Sequence, residues 1–551
     1  MRPVKFLYPL LVVLLAVFAV APLEYPGAFQ SHTGLIGYYN LIDLDQNPAQ
    51  FFTWAPVVGR AFDLFRTDGG LPYLFAEIVH LIGFSYLDAI KLVCALAWIA
   101  SGLTMYACAR RWLSENGALL AATVYVYLPY HIATVYVRGA FAEAVAWVVM
   151  PIALSTIYDV QARIQKSEFR RWNFVLSLTS FAVLFLIQPG FAILFALVTV
   201  GVIAALRGRD WTGGLWLVVG GLLLGALLYV PTILRYGANI ARDGFNANFV
   251  LPFQLFSAMW GFDASTGSYL DQFPLQLGVV PIGFAIIAVA LACRGVQPLH
   301  RPQGQVLNAP TMNVPTKRVV AIFLGAAIVL ALLTFEIAAP LWRVLGVFVA
   351  YPWQLLAFVG LALAIVAGSV IEFDARLARP AMLAFFVALP VVASYGYLAP
   401  RYLDLSPTRP QIAIFGDNEI ALLDYRIVGP LRHGATVRLQ LTWQALRPVD
   451  HDYTVFVHGV HEDGGYYAQD DSKPQNGTLP TITWKPGQVI SDTHTIQIDV
   501  DGPSEGYHLE FGLYVAATGK RALTNTGADY VSVPRPGDPE PTITDQVRPK
   551  Q

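Results

Sequence analysis

Residues 122–154 read ATVYVYLPYHIATVYVRGAFAEAVAWVVMPIAL, and only Arg138 and Glu143 in this stretch carry a full charge. A membrane-spanning helix needs about 20 mostly apolar residues. The stretch is long enough to complete one span and to begin another, with the turn around Arg138 between them. We therefore predict spans at 117–134 and 140–158, and the chain as an integral membrane protein.

The composition of the whole chain agrees with a protein that lies mostly in a lipid bilayer. Apolar residues make up 56% of the 551 residues and charged residues only 13%, whereas a soluble protein carries about 25% charged residues. The net charge is −1, so no overall field favours nucleic acid, and we predict no nucleic-acid partner. Cys94, Cys108 and Cys293 lie in or beside apolar segments, a pattern that indicates neither a disulfide framework nor a zinc site.

Hydropathy predicts a polytopic α-helical domain of about eleven transmembrane helices. The first, 6–22, lacks a clear cleavage site, so we interpret it as an uncleaved span rather than a signal peptide. Gln188-Pro189-Gly190 is interpreted as a break between two helices, because Pro and Gly interrupt helices. The remaining spans are predicted at 92–109, 117–134, 140–158, 173–187, 190–206, 211–233, 276–293, 319–336, 353–371 and 380–399.

The distribution of basic residues predicts the orientation of these spans. With the N-terminus in the cytoplasm, the inner loops hold 16 Lys and Arg residues and the longer outer loops hold 7. Basic residues concentrate on the cytoplasmic side of membrane proteins. We therefore predict a multi-pass protein of the cell membrane with an extracytoplasmic C-terminal domain. Function is expected on the outer face, where 23–91, 234–275 and 337–352 are long enough to build a site.

The chain changes character after Pro400. Apolar and polar residues alternate in TVRLQLTWQAL (436–446) and YTVFVHGVHE (453–462), and turn sequences separate such runs. This pattern predicts an all-β, immunoglobulin-like sandwich of seven or eight strands. The predicted organisation is a multi-span domain at 1–400, a linker at 401–410, the sandwich at 411–536 and a disordered tail at 537–551.

Acidic residues in the first outer segment are candidates for catalysis. Asp43 and Asp45 lie two positions apart, so on a helix they point to different sides. A carboxylate beside the bilayer is suited to act as a general base for an acceptor hydroxyl. It is also suited to help hold a divalent cation, although no cofactor is firmly indicated. A solvated loop without a catalytic role is the alternative.

Glu77 and His80 interrupt the apolar stretch LPYLFAEIVHLIG (71–83), which is too short for a normal span. We predict a helix that lies in the membrane interface or re-enters the membrane. The two side chains are three residues apart and share one helix face. Glu77 is therefore a third catalytic candidate, and an interfacial helix with a hydrated face is the alternative.

The turn between the third and fourth spans carries Tyr130, His131, Arg138 and Glu143. Ionisable groups inside a membrane protein are functional candidates, and the arginine side chain binds phosphate oxygens with two N–H groups. We predict that His131, Arg138 and Glu143 bind substrate. A purely structural pair of Arg138 and Glu143 that ties two helices together is the alternative.

No Walker loop, dinucleotide-binding fingerprint or serine-nucleophile elbow occurs in the sequence.

Residues 30–400 resemble the bacterial membrane-protein family labelled 6-pyruvoyl-tetrahydropterin synthase-related, which is similar to the GT-C membrane glycosyltransferases. The resemblance is carried by the segments quoted above together with LPFQLFSAMWG (251–261), QLGVVPIG (276–283) and YPWQLLAFVGLALAIVAG (351–368). It implies a GT-C-like fold, a polyprenyl-phosphate-linked sugar as donor and a catalytic acid in the first outer loop. The C-terminal part resembles a sandwich domain fused to such proteins.

The chain departs from that family at four positions. The resemblance leads us to expect an acid, a His and an Arg where Thr33, Gly37 and Asn40 stand, and an Arg where Gln354 stands. His32 matches, as do Arg138 and Glu143, and the resemblance implies that His32 also binds substrate.

These features favour a membrane glycosyltransferase that moves a sugar from a polyprenyl-phosphate donor to a cell-envelope acceptor on the outer face of the cytoplasmic membrane. The sequence identifies neither the sugar nor the acceptor. A catalytically inactive relative that presents the sandwich domain is the first alternative. A transporter is the second, although the sequence shows no internal repeat of the kind common in transporters.

Overall fold

The computed structural model describes residues 6–25, 27–46, 63–164, 171–207, 212–238, 240, 248–262, 265, 267–294, 315–402 and 411–534. Two compact units divide the chain, residues 1–401 and residues 402–551. The first unit is helical and the second is built of β-strands, so each is described by itself.

Sixteen α-helices lie in the described part of the first unit. They are α1 Leu7–Val20, α2 Gly34–Gln46, α3 Leu71–Leu81, α4 Tyr86–Ala109, α5 Glu115–Val126, α6 Pro129–Tyr136, α7 Phe141–Ile164, α8 Arg171–Ile187, α9 Pro189–Arg207, α10 Thr212–Leu228, α11 Val230–Tyr236, α12 Val279–Cys293, α13 Thr316–Leu333, α14 Ala339–Leu345, α15 Leu356–Ser369 and α16 Pro380–Ser394. Each of the eleven predicted spans contains one or two of these helices.

Seven helical segments in the described residues are long and apolar enough to cross a membrane, and the bent pair α5 and α6 makes an eighth if it counts as one span. Helices α8, α10 and α12, which were predicted as spans, have only 15 to 17 residues. The protein is therefore a polytopic helical membrane protein. The number eleven and the orientation of the termini stay predictions.

Proline residues set two of the helix boundaries. The predicted break at Gln188 is confirmed, because α8 ends at Ile187 and α9 begins at Pro189. The span predicted at 117–134 is wrong as a single helix, since α5 and α6 meet at an angle of 41°. Pro129 has no N–H to bond the preceding turn, and it opens α6 as the first residue of that helix. The predicted helix within 71–83 is confirmed as α3.

Helix α15 lies at the centre of the unit, and all of its residues are buried. Close packing against α5 depends on glycine. A Cβ atom added to Gly368 would lie 2.3 Å from the carbonyl oxygen of Gly117. Small residues allow such approach between membrane helices, where the hydrophobic effect cannot drive them together.

The second unit contains two antiparallel sheets. One has the strand order β1-β2-β3-β6, and the other has the order β5-β4-β7-β8 with β9 paired to β7. The nine strands are β1 Ala413–Phe415, β2 Ile420–Val428, β3 Thr436–Ala445, β4 Tyr453–His461, β5 Tyr466–Ser472, β6 Val489–Gln497, β7 Tyr507–Val515, β8 Lys520–Arg521 and β9 Val531–Val533. The predicted all-β domain is confirmed, with one or two more short strands than expected.

The core of the second unit follows from the period-2 pattern of its strands. Val437, Leu439, Leu441 and Trp443 alternate along β3 and are all fully buried. They pack in one apolar cluster with residues of both sheets, including Val455 of β4 and Phe511 of β7. The unit is thus a sandwich with one core.

A buried histidine joins the edges of the two sheets. His494 on β6 lies with Nδ1 2.6 Å from Asp470 Oδ2 on β5, and with Nε2 2.8 Å from Asp492 Oδ2. Burial alone would lower the pKa of His494, but the two carboxylates outweigh it and raise that pKa above its ordinary value. Burial opposes a low pKa at Asp492, yet the imidazolium and the N–H groups of Gln475 and Thr493 lower it.

We predict that residues 405–540, expressed alone, fold as a β-domain whose free energy of unfolding depends on this triad. The His494 contribution is complete below the unfolded histidine pKa of about 6.5 and declines as the pH rises through the raised folded pKa. The Asp492 contribution is complete above about pH 4 and declines as the pH falls through its lowered pKa. Urea unfolding from pH 3 to pH 9 measures the free energy of unfolding across both declines, the one at high pH from His494 and the one at low pH from Asp492.

The control for that experiment is His494→Gln, which should lose about 3 kcal/mol near pH 5.5 and lack the decline above neutral pH. Circular dichroism dominated by helix, or a His494→Gln profile parallel to the wild type, would contradict the prediction.

We also predict the topology of the helical unit. Reporter fusions after Arg171, Arg318 and Pro400 should indicate inside, inside and outside, because the basic loops stay in the cytoplasm. A fusion at Pro400 that reports inside would refute the eleven-span arrangement.

Candidate functional site

A cavity of about 610 Å³ lies at one end of the helical unit. Its described walls come from five separate connections between predicted spans. They are residues 32–40 with 63–73 in the first connection, 138–143 in the second, Gln188 in the third, 265–273 in the fourth and 349–354 in the fifth. All five are the connections that the positive-inside pattern assigns to the outer face. Two predicted spans separate each connection from the next, so the meeting of all five at one end agrees with the predicted alternation.

Arg138 lies in the wall of this cavity. Its Nη1 is 2.7 Å from Glu143 Oε2 and donates to the Tyr130 hydroxyl at 3.1 Å. Its guanidinium carbon lies 4.6 Å from the centroid of the Trp353 ring, a cation–π contact. The side chains of Arg138 and Glu143 are 9% and 2% exposed. Arg138 is among the residues that line the cavity, so its guanidinium group is placed to meet an anion there.

The start of α2 holds the turn that carries Arg138. The backbone N–H and the hydroxyl of Thr33 both donate to the Arg138 carbonyl oxygen, at 2.8 and 2.9 Å. Gly139 has a φ of +61° and approaches Gly34 so closely that a Cβ atom would lie 2.7 Å from the Gly34 nitrogen. Thr33, which stands where the family leads us to expect an acid, therefore positions the arginine through its backbone.

His32 completes this wall of the cavity. Its Nε2 lies 3.0 Å from the carbonyl oxygen of Phe262, and its ring stacks on Phe273 with centroids 5.3 Å apart. Phe273 in turn contacts the ring of Trp353 at 5.1 Å between centroids. The predicted substrate-binding residues His32, Arg138 and Glu143 thus line one cavity.

Asp63 and Asp68 also line the cavity, and the sequence did not distinguish them from the other acids of the first segment. Asp63 Oδ1 accepts from the N–H groups of Phe65 and Arg66, so it shapes its own turn. Asp68 bonds the Tyr73 hydroxyl, and its charge acts on Arg138. Asp68 is followed by two glycines, a pattern that indicates a turn.

Asp45 and Glu77 lie outside this set of lining residues. Asp45 accepts a hydrogen bond from the Tyr86 hydroxyl, and its carboxyl group lies near that of Glu77. Asp43 lies in α2, and its side chain is outside the described residues. The catalytic roles of these three residues stay predictions.

His131 is fully buried away from the cavity. Its ring stacks on Trp147 with centroids 4.0 Å apart, and its Nδ1 lies 3.0 Å from the Tyr125 carbonyl oxygen. The side chain fills the bent junction of α5 and α6, so this structure gives it no contact with a ligand in the cavity.

The described residues contain no group of three or more His, Cys, Asp and Glu side chains that could hold a metal ion. The divalent cation considered from the sequence therefore has no such ligand set in this part of the chain.

Backbone contacts at two glycines, Gly69 and Gly190, hold together three of the segments that line the cavity. The Gly69 N–H donates to the Ile187 carbonyl at 2.7 Å, and the Gly190 N–H donates to the Phe65 carbonyl at 3.0 Å. A Cβ atom on Gly69 would lie 1.9 Å from the Leu186 carbonyl oxygen, and one on Gly190 would lie 1.9 Å from that of Phe348. The segment with Asp68, the break with Gln188 and the connection before α15 are therefore locked together.

No protein-family model and no curated protein sequence matches the chain. Among solved structures it is similar to the apo oligosaccharyltransferase of Archaeoglobus fulgidus, with 13% identity and a TM-score of 0.41 over 73% of this chain and 57% of that one. It is also similar to ArnT from Cupriavidus metallidurans bound to undecaprenyl phosphate, with 13% identity and a TM-score of 0.34 over 72% and 90%. This chain spans little more than half the length of the oligosaccharyltransferase.

We predict that Gly69→Ala destabilises the helical unit, because the new methyl group meets the Leu186 carbonyl and the backbone cannot separate without losing two hydrogen bonds. The melting temperature in detergent should fall by several degrees, as expected for a loss of about 1–3 kcal/mol. Gly201→Ala is the matched control, since a Cβ atom at that position meets nothing within 4 Å. Equal melting temperatures for the two variants would contradict the prediction.

Proposed function

We propose that this protein is a GT-C-type membrane glycosyltransferase that moves a sugar from a polyprenyl-phosphate donor to an acceptor of the cell envelope on the outer face of the membrane. The observation that carries the proposal is a buried arginine, held by Glu143 and Trp353, in the wall of a cavity that is also lined by carboxylates and several aromatic rings. The resemblance of residues 30–400 to the family named above points to the same chemistry.

The position of the donor follows from its lipid. The polyprenyl tail stays in the bilayer, so the phosphate stays at the level of the headgroups, where the connections between spans lie. A phosphate there requires a cationic partner, and an arginine side chain binds phosphate oxygens with two N–H groups. Arg138 provides such a partner because Glu143 and Trp353 hold its guanidinium group in place.

The chemical step is a displacement at the anomeric carbon of the sugar. The acceptor hydroxyl loses its proton to a carboxylate, and its oxygen forms a bond to the anomeric carbon. The bond from that carbon to the phosphate oxygen breaks, and the phosphate leaves with the electron pair. In this scheme Asp68 takes the proton and Arg138 stabilises the negative charge on the departing phosphate.

Asp68 suits this role better than Asp63 because of its bonding. Asp63 is occupied by two backbone N–H groups of its own turn. Asp68 is held from one side by the Tyr73 hydroxyl, which also accepts a hydrogen bond from Asn40 Nδ2 at 3.2 Å. Asn40, where the family leads us to expect an arginine, thereby supports the proposed base.

An inactive scaffold is the second candidate function. It is favoured by the bonds of Thr33, which show that the position expected to carry an acid holds the Arg138 turn together instead. In that case the cavity would be a remnant and the helical unit would serve to anchor the sandwich domain.

The test is sugar transfer from a panel of polyprenyl-phosphate sugars by purified protein in lipid nanodiscs. Asp68→Asn should lower kcat by about 10²–10⁴-fold, because the amide cannot accept the proton. Arg138→Lys should lower kcat/KM by about 10²-fold, because lysine keeps the charge and loses the two-pronged contact. Asp45→Asn tests the alternative base predicted from the sequence, and it should transfer at the wild-type rate if Asp68 is the base, because Asp45 lies outside the cavity lining.

Each variant must match the wild type in expression and melting temperature, since a change near a buried ion pair also affects folding. A wild type that transfers nothing across the panel would support the scaffold. An active Asp68→Asn, or an Asp45→Asn that loses transfer, would move the base from Asp68 to the residues predicted from the sequence.

A further inference from the structure

Two buried polar groups in the cavity wall have no hydrogen-bond partner among the described residues. Gln188 is 8% exposed, and its Oε1 is unpaired. Trp353 is 5% exposed, and its indole Nε1 is unpaired. Both residues line the 610 Å³ cavity that holds Arg138 and Asp68.

An unpaired buried polar group costs free energy, so its position calls for an explanation. Other buried groups of the described chain are unpaired as well, such as Gln276 Nε2 and Trp260 Nε1. Those two residues do not line the cavity. Gln188 and Trp353 differ from them because a ligand in the cavity can supply the missing partner.

The chain holds both groups rigidly, which is what recognition of a ligand requires. Gln188 lies at the break between α8 and α9, next to the glycine contacts of Gly69 and Gly190. The ring of Trp353 stacks on Tyr351 with centroids 4.7 Å apart, and the Arg138 guanidinium lies over it.

The chemistry of the two groups defines what they can bind. The indole N–H is a donor only, and a carboxamide offers an acceptor at one end and donors at the other. A hydroxyl group both donates and accepts, so it bonds either end of the carboxamide as well as the indole. Both side chains are neutral, so neither provides a full charge to pair with a carboxylate or an ammonium group.

The charged residues of the cavity wall also favour an uncharged sugar. Its described walls hold three carboxylates, those of Asp63, Asp68 and Glu143, and two guanidinium groups, those of Arg66 and Arg138. The guanidinium of Arg66 also donates to the Gly346 carbonyl at 2.9 Å. A sugar with its own negative charge would add to this excess of carboxylates next to the donor phosphate.

We propose that Gln188 and Trp353 are specificity-determining residues that bond hydroxyl groups of the transferred sugar, and that this sugar is neutral. The inference rests on the proposed function and names the substrate class of that site. A site built to hydrogen-bond a hydroxyl rejects an analogue that lacks it, because the buried polar group of the protein is then left unpaired.

The test compares the best neutral polyprenyl-phosphate sugar of the panel with its monodeoxy analogues, one hydroxyl removed at a time. The wild type should prefer the parent over at least two of the analogues by about 10- to 100-fold in kcat/KM. Gln188→Met, which keeps the size of the side chain, should reduce one of these preferences to within about 3-fold. Trp353→Phe, which keeps an aromatic ring beneath Arg138, should reduce another.

Gln276→Met and Trp260→Phe are the matched controls, because each changes a buried residue of the same type outside the cavity. They should keep the wild-type pattern of preferences. The ratio of two substrates on one variant does not depend on the fraction of that variant that is folded, so partial misfolding does not obscure the result.

Three outcomes would overturn the inference. If Gln188→Met and Trp353→Phe keep every preference of the wild type, these residues do not recognise hydroxyls while the proposed function survives. If a uronic-acid donor is transferred faster than every neutral sugar, the substrate class is wrong. If the wild type transfers no sugar at all, the proposed function fails and this inference fails with it.

Discussion

A guanidinium group and a carboxylate lie 2.7 Å apart in a place where both are almost fully buried. Burial of each charge alone would cost several kcal/mol, so neither Arg138 nor Glu143 is tolerable without the other. The pair also fixes the geometry around it. Arg138 can reach Glu143 only if the turn between α6 and α7 is held, and Thr33 holds it through the Arg138 carbonyl. Trp353 covers the guanidinium group from the connection before α15.

Close backbone contact connects this pair to the rest of the fold. Glycines at 69, 190, 34 and 139 bring three connections within hydrogen-bonding distance of one another, where any side chain would intrude. A similar close backbone contact, between Gly117 of α5 and Gly368 of α15, lies at the end of these helices that is away from the cavity. Membrane helices gain little from the hydrophobic effect between them, so such contacts and the hydrogen bonds they permit stabilise the arrangement. The site is therefore as rigid as the helix packing beneath it.

Local patterns in the sequence were sufficient to predict the helices and strands, but not to predict which residues line the cavity. Hydropathy located a helix in each predicted span, Pro189 marked a helix boundary, and alternation along 436–446 located β3 and its buried face. Each of these signals depends on neighbours in the chain. The bend before Pro129 was missed because apolar composition alone does not reveal it. Asp68 and Gln188 were not selected because their importance arises from contacts across more than 100 residues, such as the bond from Gly69 to Ile187.

Three of the four departures from the family pattern, those at Thr33, Asn40 and Gln354, have a common explanation in the structure. Thr33 bonds the Arg138 carbonyl, Asn40 bonds the Tyr73 hydroxyl next to Asp68, and Gln354 bonds the backbone N–H of Tyr351. Each of these residues is neutral, and each supports a charged or aromatic residue that lines the cavity. The substitutions therefore leave a cavity whose polar groups include those of Arg138, Asp68 and the neutral residues beside them.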